Sequence, residues 1–370
     1  MGNSTSPLLV LLAAMAVAAL VAAPVSSVDL PSGVASITSK IPNPWSAFKN
    51  LTGCHFGEQQ EGVAKVKDYL SHFGYLPESS GFTDLFDADL EEAIKVYQRN
   101  FGLDISGAMD APTVAQMMAP RCGVADVING TSTMSGAGAS SAHAHGRNLY
   151  SYFPGSPTWP RSRKSLRYAI TQTAATPAGI DRATLSQVFA RAFARWSAAT
   201  TLNFTEAASA SDADITIGFY AGDHGDGEAF DGPLGTLAHA FSPRDGRFHL
   251  DAAEAWVAAG DVSTASSDVA VDLESVAVHE IGHLLGLGHS SVPGAIMYPT
   301  ITSRTRKVDL AEDDVVGIQS LYGGNPNFKG VAPPATSSRD MDSGAGVTSS
   351  RPWSALVAAV AVAAGIVVAL

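Results

Sequence analysis

The run His279-Glu280-Ile281-Gly282-His283-Leu284-Leu285-Gly286-Leu287-Gly288-His289 gathers three imidazoles and one carboxylate in a single short stretch. On a helix, residues four apart share a face, so His279 and His283 can reach one metal ion from adjacent turns while Glu280 stays beside it and off it. Zinc takes four tetrahedral ligands, and a catalytic zinc keeps one position for water, so three protein nitrogens are expected. His289 is the third. A straight helix would carry it away, so the chain must turn back, and Gly286 can take a positive φ at no steric cost. Gly288 is expected to add latitude. The chemistry such a set suits is hydrolysis, with the ion acidifying water and Glu280 moving protons. The pentapeptide His-Glu-x-x-His alone also arises on ordinary amphipathic helices; the third His and the turning Gly separate the two readings.

With Ala295-Ile296-Met297-Tyr298-Pro299 following at short range, the run resembles the metzincin zinc endopeptidases, in which a methionine turn (here Met297) lies beneath the metal. Ser290 after the third His makes it similar to the matrixins, or matrix metalloproteinases. Pro120-Arg121-Cys122-Gly123-Val124-Ala125-Asp126 resembles their cysteine-switch motif, with Ala125 where a second proline is usual. A thiolate is a better zinc ligand than water, so Cys122 on the fourth position would silence a precursor. In the family, a pair such as Arg121 and Asp126 fixes that loop over the cleft.

A second cluster matches matrixin positions residue by residue. His224, Asp226, His239 and His249 can close a tetrahedron with no open position, the mark of a structural zinc. Carboxylates of Asp231, Asp251 and Glu254, with carbonyls of Gly232, Leu234 and Thr236, compose an oxygen cage suited to calcium. The stretch between His239 and His249 lacks the Gly-rich loop of many relatives, so no further calcium is expected near Asp214. The resemblance places substrate along 234–241 and the wall of its main pocket at Pro299-Thr300-Ile301, with Ile301 where tyrosine is common. A hydrophobic side chain after the cleaved bond is therefore expected. It also implies that the ammonium freed by propeptide cleavage pairs with Asp313 or Asp314.

Those residues need elements to hold them. Apolar spacing predicts helices over 61–73, 87–101 and 111–118, similar to the all-α matrixin propeptide, which is itself like a peptidoglycan-binding module. Propeptide and switch would span 43–126, and the Gly, Ser and His rich stretch 127–149 reads as a flexible, cleavable linker. The catalytic domain would run 150–324. Within it are predicted strands at 165–170, 214–219 and 234–241, the last a sheet edge along the cleft. A helix over 185–197 would bury Val188, Phe189, Ala192, Phe193 and Trp196, and Asp272 would cap the zinc helix. A last helix over 310–322 ends before Gly323. The fold class is α+β, and the resemblance implies a mostly parallel sheet with three helices.

At 370 residues the chain is long enough for a small and a medium domain. Two Cys exclude a disulfide scaffold, and the charge of -12 disfavours nucleic acid. The apolar run 8–23 reads as a secretory signal peptide, residues 1–27, so the sequons at Asn50, Asn129 and Asn203 become glycosylation candidates. After a stalk over 325–345, residues 346–370 end in an apolar tail. With the small trio Ser343-Gly344-Ala345 this forms a GPI-attachment signal, Ser343 being the candidate site, and a plain membrane-spanning tail is the alternative. Together these features predict a monomeric, latent zinc endopeptidase with zinc and calcium, on the outer face of the plasma membrane, acting on extracellular proteins. An inactive cell-surface or cell-wall binding protein is the competing reading.

Overall fold

The structure, a computed structural model, describes residues 43–134 and 150–330. The signal peptide, most of the expected linker, Ser343 and the C-terminal tail lie outside the described residues. Among those described, no helix is long and apolar enough to cross a membrane.

The N-terminal part is a bundle of α1 (Val63–His72), α2 (Ala88–Asn100) and α3 (Ala111–Met117). Each forms where the periodicity places it. Asp87 and Asp110 cap the second and third by accepting from Leu90 N at 3.0 Å and Thr113 N at 2.9 Å. Val66, Leu70, Leu90, Ile94 and Tyr97 form one buried face-to-face core.

A six-stranded sheet carries the rest, in the order β1-β7-β8-β6-β4-β5. Its strands are β1 (Arg121–Cys122), β4 (Ser165–Ile170), β5 (Asn203–Glu206), β6 (Ile215–Tyr220), β7 (Thr236–Ala240) and β8 (Arg247–Asp251). Only β7 and β8 pair antiparallel; the other neighbours are parallel. Helices α4 (Arg182–Ala199), α5 (Leu273–Leu284) and α6 (Glu312–Tyr322) complete the unit. Asp181 starts α4 earlier than predicted by accepting from Thr184 N. The expected face of α4 is buried, and its Trp196 indole donates to Val278 O of α5 at 2.9 Å. The buried carboxylate of Glu274, at the start of α5, pairs with Arg191, Arg195 and Arg306. Helix α5 is thereby anchored against α4 and the loop before α6.

Two expectations need correction. The strand β7 is no free edge, because β1 of the cysteine-switch segment adds to it in parallel. Arg121 N donates to Gly235 O and Gly123 N to Ala238 O, both at 2.8 Å. On its other side the same segment pairs with 299–301, through Cys122 N to Pro299 O and Ile301 N to Pro120 O. The linker, expected to be flexible from residue 127, has defined structure over 127–134. β2 (Val127–Ile128) and β3 (Thr131–Ser132) form a hairpin whose turn residues Asn129 and Gly130 both have positive φ, the geometry that matches strand twist. Thr133 then donates its hydroxyl toward Ala125 O and Asp126 O, and Met134 is buried and bridges to His289.

Candidate metal centres

The helix α5 starts where Asp272 Oδ1 accepts from Ser275 N at 2.8 Å. It ends in a Schellman turn: Gly286, at φ 103°, donates to His283 O and Leu287 N donates to Gly282 O. That reversal brings His289 back to His279 and His283. Gly288 serves a different purpose from the one expected. Its φ is not positive, but a Cβ there would lie 2.5 Å from Ser151 Oγ and 2.8 Å from Thr133 O. It is a point of close approach by two neighbouring segments.

Each imidazole is oriented through its Nδ1. His279 donates to Ile296 O at 2.7 Å, His283 to Leu287 O at 2.8 Å and His289 to Asp126 Oδ1 at 2.8 Å. Those bonds fix the tautomer and leave every Nε2 with a free lone pair. The Nε2 atoms of His279 and His283 stand 3.1 Å apart, and Cys122 Sγ is 3.4 Å from His283 Nε2. All four donor atoms fall within 4.8 Å of one another. His289 Nε2 is buried and has no hydrogen-bond partner. A buried polar atom is rarely left so, and a zinc ion among four soft and borderline donors answers it.

Beneath these ligands, Met297 packs on Gly282, where a Cβ would meet its sulfur at 2.2 Å. Asp314 holds that turn by accepting from Ile296 N and Met297 N. Glu280 is fully buried, and neither carboxylate oxygen has a partner.

The second cluster is assembled by strand register, since β7 and β8 pair His239 directly opposite His249. Asp226 Oδ2 lies 2.8 Å from His239 Nε2, 2.8 Å from His249 Nδ1 and 2.9 Å from His224 Nε2. Donor separations of roughly 3.3 Å are the edges of a zinc tetrahedron with bonds near 2 Å, and this closed set fits one. The expected calcium ligands form a looser group. Asp231 accepts from Thr236 N and Asp251 from Gly232 N, while both oxygens of buried Glu254 have no partner. Asp214 is committed to Arg163 at 2.7 Å and to Arg167 N.

Over residues 158–323 the chain matches the family model for matrixins. It is 52% identical over 339 residues to Metalloendoproteinase 2-MMP of Arabidopsis thaliana, an alignment covering 88% of each chain. The chain belongs to the matrixin family. Metalloendoproteinase 5-MMP of the same plant is 47% identical over 314 residues, covering 84% of this chain and 85% of the relative. Human neutrophil collagenase is 36% identical over 275 residues, 73% of this chain and 52% of that one. Residues 59–117 match a peptidoglycan binding domain model, in keeping with the helical bundle. As a matrixin, the chain is a zinc metalloendopeptidase that acts on proteins, with zinc and calcium as cofactors.

Burial dominates the electrostatics of the ligand groups in this matrixin. Burial and mutual repulsion push His279 and His283 well below the usual imidazole range, the neutral state a ligand needs. Burial raises Glu280 to about 8. Burial and then the nearby Glu280 push the Cys122 thiol up, so a bound cation is what would keep it a thiolate. Burial and neighbouring carboxylates lift Asp231 to about 7 and Glu254 to about 8. Burial works against the charge of Asp126 too, yet Arg121 and His289 hold it down at about 2.

Sequence reasoning found both zinc-type clusters but missed the Asp126 to His289 bond and the presence of Lys307 in the cleft. No local pattern marks either, since Asp126 and His289 are 163 positions apart. The sequon residues Asn50, Asn129 and Asn203 are all exposed.

Proposed function

We propose that this matrixin is made as a secreted, latent precursor in which His279, His283 and His289 hold the catalytic zinc and Cys122 takes its fourth position until the N-terminal region is cut away. The observation that carries the reading is the Cys122 sulfur inside the donor set of the three imidazoles, delivered there by β1. Zinc, when bound, supplies Lewis acidity, polarising a carbonyl and making water acidic near neutral pH.

The chain's own residues do the rest. Departure of β1 frees the edge of β7, and a substrate backbone takes the hydrogen bonds now made to Gly235 O and Ala238 O. Glu280, unpartnered and shielded from solvent, accepts a proton from the attacking water and returns it to the leaving amine. His224, Asp226, His239 and His249 hold a structural zinc, and Asp231, Asp251 and Glu254 with the carbonyls of Gly232, Leu234 and Thr236 hold calcium. The apolar run 8–23 and the tail after Ser343 support secretion and a GPI anchor at the cell surface.

The test is hydrolysis of a quenched peptide by intact precursor. Cys122→Ser should cleave before any processing, at a rate at least about tenfold above wild type, because a hydroxyl is a far poorer zinc ligand than a thiolate. Cys122→Ser combined with Glu280→Ala should be silent at unchanged zinc content. Equal latency of Cys122→Ser and wild type would sink the blocking role. Release by phosphatidylinositol-specific phospholipase C tests the anchor, and full retention would favour a spanning tail.

A further inference from the structure

A slot leading off the metal centre carries an ammonium that hydrolysis does not use. Its walls are Leu237 of β7, Val276 of α5, Ile296 and Ile301, and Cys122 and Glu280 line it together with Lys307. The helix gives its direction. Ser275 and Val276 stand one turn before His279 and Glu280 on the same face, and Lys307 N donates to Ser275 Oγ at 2.8 Å. The Lys307 backbone is thereby tied to the helix one turn before the zinc ligands.

The Lys307 ammonium donates to Ala295 O at 2.7 Å and Pro293 O at 3.4 Å, which occupies two of its three N–H groups. The face of Tyr298 is 5.6 Å away. Asp314, whose charge acts on it at longer range, is already shared by the backbone N–H groups of Ile296, Met297 and Ala311. Burial lowers Lys307 only to about 8, so it is mostly protonated at neutral pH. The slot thus offers aliphatic walls and then a cation with a donor to spare.

We propose that Lys307 is a specificity-determining residue that lets this pocket take, alongside aliphatic side chains, an unbranched side chain ending in a hydrogen-bond acceptor, glutamine foremost among these, after the cleaved bond. The proposal rests on the proteolytic reading above. It departs from a purely hydrophobic pocket for a physical reason. The stem of glutamine lies against Leu237, Val276 and Ile301 as an aliphatic side chain would, and its amide oxygen accepts from the ammonium. Leucine offers that half-buried ammonium no acceptor and leaves it to solvent, so the lysine favours glutamine without excluding leucine.

The experiment uses propeptide-free enzyme loaded with zinc and calcium, and quenched peptides that differ only in the residue after the cleaved bond: leucine, methionine, glutamine or glutamate. Wild type should cleave the glutamine peptide with kcat/KM within about threefold of the leucine peptide. Lys307→Met, which keeps the aliphatic stem, should lower the glutamine to leucine ratio by roughly tenfold or more while leucine turnover holds or rises. A merely structural role at Ala295 would depress all four peptides together, and an unchanged ratio overturns the proposal. Rejection of glutamine by wild type by more than about thirtyfold overturns it without any variant. No cleavage of any peptide by wild type would overturn the proteolytic reading itself.

Discussion

Asp126 is a single carboxylate that joins Arg121 of β1 to His289 of the metal centre. It meets Arg121 Nη2 and His289 Nδ1 at 2.8 Å each, and the Tyr75 hydroxyl donates to it at 2.9 Å. Arg121 is itself fully buried and lies over the Phe73 ring at 3.6 Å. Removing one partner of such a pair leaves an uncompensated buried charge, at a cost of about 3–5 kcal/mol. Asp126→Asn is therefore expected to lower the precursor's melting temperature and to let the uncut precursor hydrolyse peptide. A variant as silent and as stable as wild type would show the pair to be dispensable. The folded pKa, about 2, lies below the ordinary 3.8. The contribution is then present above about pH 4 and is lost as pH falls toward 2, so brief acid treatment should open the precursor where mild acid does not.

At the scale of elements, α6 separates two adjacent acids that look alike in the sequence. Asp314 is saturated by the N–H groups of Ile296, Met297 and Ala311 and so holds the methionine turn. Asp313 accepts from the Ser290 hydroxyl, and burial followed by the neighbouring Asp314 pushes it up to about 6. Its folded pKa is raised, so its ionisation disfavours the fold increasingly as pH rises through about 4 to 6. One turn further along α6, Gly317 accepts from the Tyr152 hydroxyl and packs on the Tyr150 ring. A new ammonium created near Tyr150 arises beside this helix. Enzymes whose chains begin at successive residues from Asn148 to Phe153 are expected to differ in kcat/KM, with a maximum near Tyr150. Asp313→Asn should flatten that difference, whereas Asp314→Asn should lower stability for every terminus. Equal activity across all termini would remove the regulatory role.

For the whole molecule, the ions are expected to decide how stability depends on pH. Without calcium, Asp231 and Glu254 have folded pKa values raised to about 7 and about 8. Their ionisation then costs stability as pH rises from about 4 to 8. Protein treated with a calcium chelator that spares zinc should therefore melt at a higher temperature at pH 5 than at pH 8. Bound calcium should reverse that order, adding about 3 kcal/mol at a hundredfold excess over its Kd. Identical melting with and without calcium at pH 8 would argue against a site at these carboxylates. The bundle also touches the catalytic unit at several points away from β1. Gln116 donates to Thr300 Oγ1 at 3.2 Å, Phe101 meets Tyr298 edge-on, and His72 approaches Glu228 at 3.6 Å.

What the sequence determined by itself lies within short windows. The spacing of His279, Glu280 and His283, the cap at Asp272 and the turn at Gly286 each obey rules that act over one or two helical turns. Helices α1 to α6 and strands β4, β6 and β7 were legible for the same reason, because periodicity and capping are local. Tertiary structure decided the rest. Addition of β1 to β7, the bridge from Met134 to His289, the need for glycine at 288, the bond from Asp126 to His289 and the place of Lys307 in the cleft all join segments far apart in sequence. Such pairings follow from which buried polar groups meet once the core has packed, and no residue's own neighbours along the chain encode that.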